Sequence, residues 1–71
     1  MSVTEIYRVD GMTCEHCVRA VSGEIGALPG VVAVTVDLPS GAVTVTSSVP
    51  VPPQAIAEAV DEAGYTLAPL G

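Results

Sequence analysis

The strongest constraint on the fold of this chain is the order in which its apolar residues change period. From Val3 to Val9 they alternate, with Val3, Tyr7 and Val9 on one face and Thr4, Ile6 and Arg8 on the other. A period of two marks a half-buried strand. Glu5 falls on the apolar face, so the start of this strand is expected at the rim. Gly11 to Cys14 reads as a loop. From Glu15 to about Leu28 the apolar residues fall at Val18, Val21, Ile25 and Leu28. Steps of three, four and three predict a helix, which Pro29-Gly30 ends. Alternation returns from Val31 to Leu38, with Val32, Val34, Val36 and Leu38 on one face. Pro39-Ser40-Gly41 is a turn, and Ala42 to Ser47 is a third strand with Val43 and Val45 in register. So short a connection predicts an antiparallel hairpin.

Pro52 or Pro53 suits the first turn of a second helix, where a missing N–H is harmless. It should run to about Ala63, with Ile56, Ala59, Val60 and Ala63 inward, and Gly64 should supply the left-handed residue that closes it. Tyr65 to Pro69 reads as a short closing strand, placed at a sheet edge by Pro69. The order is therefore β-α-β-β-α-β. Two helices on one face of a four-stranded antiparallel sheet bury both apolar stripes and leave the other sheet face outside. This is an α+β, ferredoxin-like sandwich. It brings the loop before the first helix beside the loop after the second, so Cys14, Cys17 and Tyr65 are expected near one end. With 71 residues and no repeat or linker, 1–71 is a single domain. Phe and Trp are absent, so the core must come from Val, Ala, Ile, Leu, Met and the two tyrosines.

Charge excludes whole classes of partner. The net charge is −6, and only Arg8 and Arg19 are positive. Nucleic acid demands a basic face, and anionic lipid repels an acidic one. No apolar run approaches the ~20 residues that a membrane span needs. The first residues show no basic stretch leading into an apolar one, so a cytoplasmic protein is expected.

The chemistry concentrates in Gly11-Met12-Thr13-Cys14-Glu15-His16-Cys17. Cys14 lies in the loop and Cys17 in the first helical turn, a spacing that lets two sulfurs converge on one ion. The positive end of a helix favours thiolates. Structural zinc wants four ligands, and this chain offers two cysteines and one histidine. Cu(I) is soft and prefers thiolate. It is content with two or three ligands, so an exposed ion can accept a third thiolate from a partner. A Cys-x-x-Cys pair also serves thioredoxin-like enzymes. A small thiol–disulfide oxidoreductase and a zinc-bridged dimer therefore stay open as rivals. No catalytic nucleophile, acid–base pair or phosphate loop is visible, so a non-enzyme is expected.

The same segment resembles the Gly-Met-Thr-Cys-x-x-Cys signature of heavy-metal-associated domains. The resemblance continues through Leu28-Pro29-Gly30-Val31, Val36-Asp37-Leu38 and Ala63-Gly64-Tyr65, nearly the whole chain. It implies a stand-alone bacterial copper chaperone that binds Cu(I) through Cys14 and Cys17. It further implies delivery to the similar N-terminal domains of a copper-transporting P-type ATPase, and a homodimer bridged by shared copper as a second outcome. An excised N-terminal domain of a heavy-metal ATPase or mercury reductase would look the same. Mercury carriers of the periplasm have a secretory signal. Many zinc-handling relatives have a carboxylate where this chain has Thr13.

Three neighbours are candidates for modulating the pair. Met12 is expected to anchor the loop in the core rather than to ligate. His16 has three readings: a solvated helix-start residue, a group that tunes the thiolates and copper-bridged dimers, or a direct ligand. Tyr65 either caps the core or screens the thiolates. Soluble relatives often carry Tyr at its place, and transporter-attached ones Phe. Glu15 reads as a charge that suits the start of the helix dipole, and Arg19 and Asp61-Glu62 as solvated faces.

Overall fold

A computed structural model describes residues 2–68. Six elements follow one another: β1 (Val3–Asp10), α1 (Glu15–Gly26), β2 (Val31–Asp37), β3 (Ala42–Ser47), α2 (Pro53–Glu62) and β4 (Thr66–Ala68). They build one antiparallel sheet in the order β2-β3-β1-β4, so consecutive strands β1 and β2 lie apart with β3 between them. Both helices pack on one face of it. Tyr7 and Val9 of β1 and Val43 and Val45 of β3 meet Val21 and Ile25 of α1 and Ile56, Ala59 and Val60 of α2 in a single core. Among the described residues, no helix is long and apolar enough to cross a membrane. β4 is an edge strand, as expected for the closing strand, but begins at Thr66 rather than Tyr65; Pro69, the expected last residue of that strand, lies outside the described residues.

The two helix ends differ, and each has a local cause. α1 stops at Gly26, two residues before Leu28. The residue before a proline is driven out of the helical region. Leu28 instead turns back, its N–H donating to the Ile25 carbonyl at 3.0 Å. α2 ends in a Schellman motif. Gly64 has φ +91°, its N–H bonds the Asp61 carbonyl at 2.9 Å, and the Tyr65 N–H bonds the Val60 carbonyl at 3.1 Å. That left-handed step swings Tyr65 off the helix axis.

Two expected faces are corrected. In α1 the fully inward stripe is Cys17, Val21 and Ile25, spaced by four, while Val18 is only half-buried. Cys17, a candidate site residue, is thus also part of the buried stripe. In β2, Val32 was expected inside but is 68% exposed. The register slips between Val31 and Ala33: Val31 pairs with Ser47, Ala33 with Thr46, and Val32 has no partner. This β-bulge lets Val31, Val34 and Val36 all lean on the core, although an unbroken alternation could not place 31 and 34 on one face. Leu38 falls just beyond β2 and is half-buried.

Candidate metal centre

The β1–α1 loop delivers both sulfurs. Cys14 is the N-cap of α1, with extended backbone (φ −155°, ψ 174°), and its carbonyl accepts the N–H of Cys17 at 3.1 Å and of Val18 at 3.3 Å. Cys17 is the third residue of the helix. The N-cap and third positions are the pair that a capping box brings together. Here the same geometry brings together two thiols, with Sγ–Sγ 3.6 Å, a thiol hydrogen-bond contact, and no disulfide between them. Two metal–sulfur bonds of about 2.3 Å span up to about 4.6 Å, so one ion can reach both. The two differ in access. Cys14 is exposed, whereas Cys17 is 8% exposed and sits at the edge of the core.

The Cys17 thiol is pulled down to about 6. The largest cause is a bond from the Thr13 backbone N–H, followed by the Tyr65 hydroxyl and the Cys14 N–H; burial opposes them. Tyr65 answers in kind: its hydroxyl is pushed up, first by its bond to Cys17 and then by burial. Its ring is half-buried and packs against the core, and its Cδ1 lies 3.4 Å from where a side chain on Gly11 would begin. Gly11 has φ +93°, so a glycine there serves both the turn and the fit against the ring. Tyr65 thus packs against the core, as the cap reading expects, with its hydroxyl toward Cys17. Met12 is half-buried and packs against the core beneath the loop. His16 is exposed on the first turn of α1. Among the described residues, no group of three His, Cys, Asp or Glu side chains is placed to hold a metal.

A lowered thiol has testable consequences. Because the folded value lies below the unfolded one, the thiolate adds stability above the unfolded value, and this is lost as pH falls through about 6. Alkylation of Cys17 by iodoacetamide, followed by peptide mass spectrometry, should show a midpoint near pH 6. Tyr65→Phe removes the second of the causes but not the first. Its midpoint should rise yet stay below that of an ordinary thiol, about 8.5. An unchanged midpoint would remove Tyr65 from the account.

The copper chaperone CopZ of Bacillus subtilis is 44% identical over 62 residues, spanning 86% of this chain and 90% of that protein. A segment of copper-transporting ATPase 2 of Rhizobium meliloti is 35% identical over 65 residues, 92% of this chain but 8% of the ATPase. Among solved structures, a CopZ metallochaperone superposes with a TM-score of 0.87 at 31% identity, covering 93% of this chain and 100% of that one. Residues 6–66 match the heavy-metal-associated domain, and the chain belongs to that family.

Proposed function

We propose that this chain is a cytoplasmic copper chaperone. It carries one Cu(I) between the thiolates of Cys14 and Cys17 and hands it to the corresponding domain of a copper-transporting P-type ATPase. The observation that carries this is the contrast between two free sulfurs 3.6 Å apart, one exposed and one buried. Cys17, held as thiolate by loop amides and Tyr65, is the ligand that stays. Cys14 faces solvent, so a partner thiolate can add to the ion there and displace it. The ion stays Cu(I) throughout, no electrons move, and free copper is not released. This is a carrier's chemistry, with no substrate turned over. Soft thiolates select Cu(I) over harder divalent ions, and a two-sulfur site leaves a position for the acceptor.

The relatives fit the same scheme. One is a copper chaperone of matching length, and another is a copper-transporting ATPase that carries a similar segment. Donor and acceptor would then present like sites to each other. We read His16 as a modulator of the pair and of copper sharing between two chains, with Met12 as the loop's anchor. The test is transfer. Cu(I)-loaded chain mixed with the ATPase's N-terminal domain should lose its copper far faster than when a dialysis membrane separates the two. Equal rates in both arrangements would mean release into solution and would contradict direct exchange.

A further inference from the structure

Prolines crowd the short link between β3 and α2, where Pro50-Val51-Pro52-Pro53 holds three in four positions. Starting a helix takes one. Pro53 is the first residue of α2, a place that favours proline. Pro52 stands at the N-cap and makes no side-chain bond to the helix, although serine, threonine or aspartate there would satisfy an open helix N–H. Pro50 belongs to neither element. A local preference set aside without a gain inside the fold points to a use outside it.

The segment is already shaped. Proline holds φ near −65°, and a residue before proline is driven into the extended region. Pro52 shows the result, with φ −60° and ψ 139°, which is the polyproline II conformation. That helix repeats every three residues. Pro50 and Pro53 therefore share one edge, Pro52 lies on a second, and Val51 on the third. Burial follows this period: Val51 packs against the core, while all three prolines are exposed. Val49, just before them, is 52% exposed. Among the described residues, no backbone hydrogen bond engages Val49, Pro50 or Val51, so their carbonyls are open to a donor. No charged residue stands from Ser47 to Ala57, so ion pairing is not what this surface offers.

We infer that Pro50-Val51-Pro52-Pro53 docks in a tryptophan- or tyrosine-lined groove of a partner protein. Two proline edges raised on an anchored third fit between flat aromatic walls, and the indole N–H or phenol O–H can donate to the open carbonyls. The segment lies at the end of the molecule away from the cysteines. Ser47 pairs with Val3 at the start of β1, whereas the cysteine loop follows the other end of that strand at Asp10. Eight strand residues span about 25 Å. A partner held here leaves Cys14 open, and the proposal stands or falls apart from copper transfer.

The probe is N-acetyl-tryptophan amide, with N-acetyl-leucine amide as its control, titrated by NMR into the isotope-labelled, metal-free chain. Proline has no N–H, so the amides of Val49, Val51 and Gln54 report. The tryptophan probe should move these more than the amides of Ile6 and Val32, the other large apolar residues that are exposed. The leucine probe should not. Pro50→Ala lies outside both neighbouring elements and should keep the fold. Losing one covered ring methylene should weaken binding of the tryptophan probe about fourfold. Ile6→Ala, on the open sheet face, should change it less than about twofold. Shifts as large at Ile6 and Val32, equal responses to the two probes, or unchanged binding in Pro50→Ala would each overturn the proposal.

Discussion

Ile25→Ala is expected to remove most of the stability of this domain. Ile25 is fully buried, on the same stripe of α1 as Val21 and Cys17, among the largest side chains of a core that has no Phe or Trp. Cutting a buried isoleucine to alanine costs about 2–5 kcal/mol, because the cavity it leaves closes only in part. A domain of this size holds roughly 4–10 kcal/mol in total. With about 4–8 °C of Tm lost per kcal/mol, the midpoint should fall by on the order of 15–20 °C in circular-dichroism melts. Val18→Ala is the comparison. Val18 sits one residue beyond Cys17 and is half-buried, so its loss should cost about 1 kcal/mol or less. Comparable losses at the two positions would mean that α1 does not bury Ile25 in preference to Val18.

That comparison also marks where sequence patterns lose resolution. Steps of three and four place a stripe on α1, but Cys17 and Val18 are adjacent and both can be buried. The choice falls to Cys17 because it stands four residues before Val21, on the stripe that Val21 and Ile25 hold in the core. Val32 is a similar case. Val31 and Val32 are chemically identical, so nothing in β2 alone says which leans inward. The decision belongs to β3, where Ser47 and Thr46 pair with Val31 and Ala33 and leave Val32 over. The order of the six elements was readable because periods of two and 3.6 differ strongly, and Gly64 and Pro53 punctuate α2 where such residues should.

The candidate site divides in the same way. Cys14 and Cys17 could be paired from spacing, since the N-cap and the third helical residue are neighbours in any helix. Thr13 could not be credited, because what it supplies is a backbone N–H whose direction depends on the loop. Tyr65 could be brought near from topology, whereas its bond to Cys17 depends on the Schellman turn that aims it.

Loss of either cysteine should abolish tight copper binding, and it should do so without unfolding the chain. Cys14 is exposed and its side chain makes no cap bond to the helix. Serine is a favoured N-cap residue, so Cys14→Ser should hold or add stability, by up to about 1 kcal/mol. Cys17→Ser trades a buried sulfur for a hydroxyl that water solvates less readily there, and should cost about 1 kcal/mol. Neither change approaches the effect of Ile25→Ala. Copper should respond far more strongly. Removing a group that merely supports a metal ligand costs 10–100-fold, so removing one of two ligands should cost more than about a hundredfold.

Competition against a Cu(I)-specific chelator under anaerobic conditions measures this directly. The wild-type chain should take one equivalent of Cu(I) from the chelator, and Cys14→Ser and Cys17→Ser should each surrender it. If both variants hold copper as the wild type does, the thiolate pair is not the site and the chaperone assignment loses its foundation.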